Sequence, residues 1–339
     1  MTPSLPRVFR AVLWVAILAA LVVGPGCKPR GSSAGAAPVR IGYFANLTHA
    51  QAVLGVASGE LERAVSPAKL ETKVFNAGPS LIEALFAGEI DIGYVGPGPA
   101  ISAHAKSHGQ GIRVIAGAAA NGVVIVARQE SGIRSLADLA GKRIATPQLG
   151  NTQDISARHY LSRVLKQDDL KNVLPIDNSQ QAALFAKGEV DAAWVPEPWG
   201  QRLIAESGAK LIGEERDLWP SREFVLTLVV TTPEFLAKRA DAVESVLRVH
   251  RSFTRKLAAE PDTYRAALGD ALFKLTGKRL AEGILATAIK RVKFTDEPPL
   301  DETLSTFALW TNDLGFERAK IDTAGLVDKS ILQKTASLP

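Results

Sequence analysis

Ala84-Leu85-Phe86-Ala87-Gly88-Glu89-Ile90-Asp91-Ile92-Gly93-Tyr94-Val95 and Ala183-Leu184-Phe185-Ala186-Lys187-Gly188-Glu189-Val190-Asp191-Ala192-Ala193-Trp194-Val195 are two copies of one pattern, separated by the inserted Lys187. Each copy reads as a helix ending at glycine, a tight acidic turn and a buried strand. Glycine suits the helix end because the residue there takes a left-handed backbone. Helix–turn–strand units recur in many α/β chains, which is one account of the echo. The other is two lobes built on one plan, each with its own sheet. The chain has 339 residues, more than the roughly 100–200 of one compact domain, which fits the second account.

Outward from the first copy, Val39–Phe44 and Leu70–Phe75 read as strands, with a loop at Asn46–Thr48 and a helix over Ala50–Ala64 between them. Ser80–Ala87 reads as a helix and Ile90–Val95 as a strand running into a turn, Gly96-Pro97-Gly98-Pro99. Val114–Ala118 and Val123–Ala127 add two strands. The same grammar then restarts: a capping box at Ser135–Asp138, a strand at Arg143–Thr146, a loop at Pro147–Asn151 and a helix to about Lys166. Val173–Ile176, Gln180–Ala186 and Val190–Val195 follow as strand, helix and strand. Strands spaced by helices predict βαβ units and a mostly parallel sheet in each lobe. Phe224–Val230 reads as a strand returning to the first lobe, followed by helices over Pro233–Ala258, Pro261–Thr276, Arg279–Lys290 and Glu302–Leu314. The expected divisions are lobe 1 over 39–127, lobe 2 over 128–222, and a return to lobe 1 with C-terminal helices over 223–339. Two crossing segments suit a hinge.

The N-terminus carries Arg7 and Arg10 ahead of an apolar run, Ala11–Val23, too short for a permanent membrane span. It reads as a signal peptide over 1–26. The small residues Gly24-Pro25-Gly26 precede Cys27, the one cysteine of the chain, and this resembles a bacterial lipoprotein signal in which Cys27 becomes the lipidated first residue. A plain signal peptide cut nearby is the other reading. The Gly/Ser/Ala/Pro tract up to Pro38 reads as a flexible tether over 27–38. The expected location is therefore the periplasm or cell surface, with a lipid anchor.

Composition closes several doors. The net charge of +5 is spread without a basic run, so nucleic acid is not an expected partner. A hydrophobic fraction of 46% and a charged fraction of 22% are those of a globular protein. One cysteine excludes an intrachain disulfide and a cysteine-based zinc cluster, and the five histidines lack metal-ligand spacing. No nucleophile elbow, zinc-protease motif or phosphate loop occurs, so the expectation is no enzyme, no cofactor and a monomer.

Gly78-Pro79-Ser80-Leu81-Ile82-Glu83-Ala84-Leu85 with Gly88–Gly93, Leu136–Pro147, Gln148–Asp154, Val195-Pro196-Glu197-Pro198-Trp199 and Asp217-Leu218-Trp219-Pro220 together resemble substrate-binding proteins of ABC importers for aliphatic sulfonates, taurine and nitrate. The resemblance covers roughly 39–300. It implies an α/β type II periplasmic binding protein fold, two α/β lobes joined by a two-segment hinge, with a permease and an ATPase as partners. The family also includes receptors for pyrimidine vitamin precursors. Some proteins of this fold make a pyrimidine with a histidine and clustered cysteines, equipment this chain lacks.

In open α/β sheets ligands sit beyond the carboxyl ends of strands. Four segments are placed there. Asn46, Thr48 and His49 follow the first strand, Asn46 and Thr48 as ligand donors or helix caps and His49 as a ligand donor or a structural side chain. Ser80 opens a helix, and the resemblance favours a ligand role for its hydroxyl; Gly98 and Pro99 form a turn that lets backbone approach a ligand. Gln148, Gly150, Asn151 and Thr152 form the anion-site candidate of lobe 2. Trp199 offers an apolar wall, and Glu197 is read as an amine ligand, a hinge lock or the partner of an arginine such as Arg202. No Arg or Lys stands in these loops, so a singly charged anion would be held by neutral donors, while Asp154 and Glu197 hint at an amine as in taurine. The expected function is hinge closure on a small anionic solute, an aliphatic sulfonate or taurine. Nitrate, bicarbonate and a pyrimidine precursor are alternatives, and a ligand-binding sensor domain is the rival class.

Overall fold

The computed structural model describes residues 37–297 and 301–336. Cys27 and the stretches read from sequence as a signal peptide and a tether, up to residue 36, lie outside the described residues. Val39–Phe44 (β1) runs through a 3-10 turn at Leu47–His49 into Ala50–Ala57 (α1) and Glu60–Val65 (α2). Sequence predicts one helix here; Gly59, at φ 71°, divides it. Leu70–Phe75 (β2), Gly78–Phe86 (α3), Ile92–Val95 (β3) and Pro97–Lys106 (α4) follow. The Gly96–Pro99 segment, expected as a turn, is instead the start of α4. Proline suits that place, because a first-turn residue has no intrahelical use for an N–H.

The chain continues through Arg113–Asn121 (β4), Val123–Ala127 (β5), Ile144–Thr146 (β6), Thr152–His159 (α5), Val173–Pro175 (β7), Asn178–Ala186 (α6) and Ala192–Pro196 (β8). Trp199–Ser207 (α7), Lys210–Glu214 (β9) and Val225–Thr231 (β10) come next. The C-terminal part holds Pro233–Lys238 (α8), Ala240–Ala259 (α9), Pro261–Thr276 (α10), Glu282–Ala288 (α11), Val292–Phe294 (β11), Asp301–Asp313 (α12) and Ser330–Ala336 (α13).

The strands form two sheets, ordered β11-β4-β10-β3-β1-β2 and β7-β6-β8-β5-β9. In the first, β1 is parallel to β2 and β3, whereas β10 is antiparallel to β3 and β4. In the second, β6 is parallel to β7 and β8, whereas β5 is antiparallel to β8 and β9. The sheets are therefore mixed where sequence predicts mostly parallel ones. The reason lies in the crossings. The chain turns at Asn121 and Gly122, both at positive φ (60° and 80°), and β5 leaves the first sheet to pair inside the second. Val123–Ala127, expected within lobe 1, thus hydrogen-bonds in the other sheet. After β9 the chain returns, and β10 takes the matching place in the first sheet. α12 packs on both α4 and α5 and so touches both lobes.

The sequence echo has a structural cause. β3 and β8 hold equivalent places in their sheets, and the aspartate of each copy clasps an arginine at the start of the lobe's first strand, Arg40 within β1 and Arg143 just before β6. Arg40 gives its backbone N–H and Nε to Asp91 Oδ2 (2.8 and 3.0 Å) and Nη2 to Oδ1 (2.6 Å), with Nη1 on the Gly88 carbonyl. Arg143 makes the same set with Asp191 (3.0, 3.0 and 2.8 Å) and reaches the Gly188 carbonyl at 2.6 Å. Such fork geometry is among the stronger side-chain interactions.

The two clasps differ in burial: the Asp91 side chain is 7% exposed and the Asp191 side chain 14%, with their arginines at 34% and 45%. Asp91→Ala is expected to lower unfolding free energy by about 2–3 kcal/mol and Asp191→Ala by about 1 kcal/mol. Urea titrations of both variants check the order.

Candidate functional site

A narrow cleft lies between the sheets and is walled from both sides. Lobe 1 contributes Phe44, Asn46, Thr48 and His49 after β1, Asn76 ahead of α3, and Gly96 at the start of α4. Lobe 2 contributes Pro147, Asn151, Thr152 and Gln153 around the start of α5, Asn178 at the start of α6, and Pro196 at the end of β8. Leu226 and Thr227 of β10 complete the lining.

Four helices, two from each lobe, begin at this wall. The residues at their N-caps are Ala77, Gly96, Asn151 and Asp177, and none makes a side-chain cap hydrogen bond. First-turn N–H groups have no intrahelical acceptor, and the helix dipole adds partial positive charge at that end; α4 adds only the dipole, because Pro97 and Pro99 have no N–H and that of Gly98 goes to Thr152. Among the described lining residues none is Asp, Glu, Lys or Arg. The one ionisable group, His49, is buried and its pKa is lowered to about 3 by desolvation. Its Nδ1 accepts the Phe44 N–H at 3.3 Å, which leaves the proton on Nε2 as a donor. Asn151 Nδ2 donates to Gln153 Oε1 at 2.6 Å, and the Gln153 amide nitrogen has no partner among the described residues. The Thr227 hydroxyl is buried without a partner among the described residues. The chamber is thus polar, uncharged and rich in donors, a setting that receives an anion or a neutral hydrogen-bonding solute.

The lobes also touch directly. Gly98 N–H donates to Thr152 Oγ1 at 3.3 Å, and Cβ atoms at Gly96 and Gly98 would collide with Thr152 and Ile155. Asn46 Oδ1 accepts from Trp199 Nε1 at 2.6 Å, Leu47 N–H donates to the Glu197 carbonyl at 3.2 Å, and Asn76 Nδ2 donates to Asp177 Oδ2 at 3.1 Å.

Of the residues expected at a ligand, Asn46, Thr48, His49, Asn151 and Thr152 share this wall. The others lie elsewhere. The Ser80 hydroxyl donates to the Ala77 carbonyl at 3.0 Å, and the Pro99 ring sits against Gly78. Gly98 is a contact between lobes. The Gln148 carbonyl accepts the Asn151 N–H at 3.1 Å, and Gly150, at φ 73°, gives its N–H to Asp154 Oδ2 at 2.9 Å. Asp154 also holds Thr146 and Arg158, each at 2.9 Å, and so has no place for a ligand amine. Glu197 is fully buried on Arg291 (2.5 Å) and the Gln201 N–H (3.0 Å); burial raises its pKa. Arg202, its expected partner, pairs with Glu206 at 2.8 Å instead, and Arg291 also reaches Glu214 at 3.2 Å. Trp199 lines an outer part of the cleft.

Asn76, Asn178 and Thr227 were not anticipated. Asn76 follows β2 and Asn178 follows β7, so extending the echo one unit towards each N-terminus would have paired them. Thr227 carries no sequence signal beyond its strand. Among the described residues no His, Cys, Asp and Glu group is arranged to hold a metal, and no helix is long and apolar enough to cross a membrane.

If the Gly98–Thr152 approach is the closed state, Gly98→Ala will obstruct it: its Cβ would stand 3.2 Å from Thr152 Cα and 3.3 Å from Thr152 N. Ligand affinity should fall at least about tenfold with little change in the melting temperature of the ligand-free protein. Calorimetric titration beside a thermal melt separates the two.

A sequence model of the NMT1-like family matches residues 32–268. A Brucella abortus protein named as a binding protein is 30% identical over 254 residues, 72% of each chain. The taurine-binding periplasmic protein of Escherichia coli is 26% identical over 59% of this chain and 61% of its own. Among solved structures, the alkanesulfonate-binding protein of Xanthomonas axonopodis pv. citri, bound to MOPS, superposes with a TM-score of 0.67 at 24% identity, covering 86% of this chain and 98% of that one. The periplasmic nitrate-binding protein of Synechocystis gives 0.73 at 13% identity, covering 89% of both. The fold is that of the two-lobed periplasmic binding proteins, and the chain belongs to the NMT1-like family.

Proposed function

We propose that the chain is exported, anchored through lipidated Cys27, and captures an aliphatic sulfonate by closing its two lobes before delivering it to a permease. The observation that carries this is the uncharged chamber, with the helix starts of α3, α5 and α6 and the His49 Nε2 donor around it. A sulfonate presents three acceptor oxygens with one delocalised charge, which neutral donors and helix dipoles satisfy together. Taurine fits less well, because no carboxylate among the described residues lines the chamber to receive its amine. Alkanesulfonate- and taurine-binding relatives support the same solute class. A second reading, a planar pyrimidine, draws support from the amides of Asn46, Asn76 and Asn178 beside the Phe44 ring.

A thermal-shift panel of propanesulfonate, taurine, nitrate, bicarbonate and an aminopyrimidine tests the assignment. A ligand at a hundredfold excess over Kd stabilises by about 2.7 kcal/mol. Propanesulfonate should give the largest shift, and a shift confined to the pyrimidine would transfer the assignment to it. Thr227→Val replaces an unpartnered buried hydroxyl with a methyl of similar size, so it should weaken binding several-fold while leaving or raising the melting temperature. Ser80→Ala, whose hydroxyl bonds its own helix start, should leave affinity within about twofold.

A further inference from the structure

A second, outer chamber adjoins the cleft and shares Asn46, Asn76 and Asn178 with the inner one. Its walls are apolar at Val74, Phe75, Trp199 and Leu275, and it carries two cations, Arg202 and Lys278. No Asp or Glu among the described residues lines it. The inner chamber has donors without charge; the outer one has charge beside a greasy wall.

Arg202 is the informative residue. Its side chain is only 8% exposed, yet its ion pair with Glu206 uses Nε alone, at 2.8 Å to both carboxylate oxygens. Nη1 and Nη2 have no hydrogen-bond partner among the described residues. The guanidinium lies 5.4 Å from the centre of the Trp199 ring, and Trp199 is itself held by Asn46 of the inner wall. A guanidinium positioned by stacking, with the outer half of its fork unpaired among the described residues and open to solvent, is preorganised for a further acceptor. The group that completes it is a planar or multi-oxygen anion.

Resting on the sulfonate reading above, we propose that the physiological ligand is bifunctional: an acidic head in the inner chamber, an aliphatic or aromatic spacer against Trp199 and Phe75, and a second anionic group on Arg202. A carboxylate, a sulfonate and a phosphate share the chemistry required at that second point. The spacer also accounts for Val74, 41% exposed at the chamber wall.

Calorimetric titration of the full chain with propanesulfonate, hexanesulfonate and the α,ω-disulfonate of each chain length tests this. At one of the two lengths the disulfonate should bind at least about tenfold tighter than its monosulfonate, as a charge-assisted hydrogen bond predicts. Arg202→Gln should cut that ratio below about threefold, and Arg202→Lys should restore part of it. Equal affinities in the wild-type protein, or a ratio that survives Arg202→Gln, would overturn the proposal while leaving the sulfonate reading intact. Silence of the wild-type protein towards all four sulfonates would instead remove the sulfonate reading and this inference with it. The wild-type comparison decides even where a variant fails to fold.

Discussion

Each sheet is completed by a reversed strand that the chain delivers while crossing from the other lobe, and the cleft follows from that exchange. β5 enters the second sheet directly after Gly122, and β10 returns to the first sheet. Because the crossings are themselves strands, the hinge is tied into the hydrogen bonding of both sheets; the Glu197 N–H, for example, donates to the Gly122 carbonyl at 2.8 Å. The parallel strands of both lobes then end towards the same gap, and the helices that follow them begin there. A ligand site at the carboxyl ends of strands is the general outcome for open α/β sheets. Here it is doubled, one half in each lobe.

Charge is managed around the cleft so that the chamber itself stays neutral. Glu197 and Glu214 are tied to Arg291 at the hinge side, and Asp154 is surrounded by Thr146, Gly150 and Arg158. Glu215, fully buried near the second crossing, has its pKa raised to about 7 by desolvation and is held by the Ser156 hydroxyl and the Trp194 indole, each at 2.6 Å. Close by, Trp219 stacks on Phe224 at 5.2 Å and meets Phe307 and Trp310, so the crossing rests on an aromatic cluster joined to α12. With the acids engaged elsewhere, the helix starts are left to set the sign of the field in the chamber.

Much of this was legible in the chain. The echo identified two equivalent lobes because the clasp of Arg40 on Asp91 and of Arg143 on Asp191 imposes the same acidic turn twice. The loops after the first strand of each lobe were found for the same reason, since helix starts announce themselves through short polar residues. What escaped was long-range. Nothing near Glu197 reveals that its partner is Arg291 rather than Arg202, and nothing in Val123–Ala127 distinguishes a strand that stays from one that crosses. The Gly96–Pro99 segment misled because glycine and proline punctuate turns and helix starts alike.

The chamber is proposed to hold an anion without a charged side chain. A crystal structure of the protein with propanesulfonate, its sulfur located by anomalous scattering, tests it most directly. The sulfonate oxygens are predicted to meet His49 Nε2, the Thr227 hydroxyl and first-turn N–H groups of α5, with no Lys or Arg nitrogen in hydrogen-bond range. A sulfonate seated on an arginine or lysine, or lying outside the space between the lobes, would contradict it.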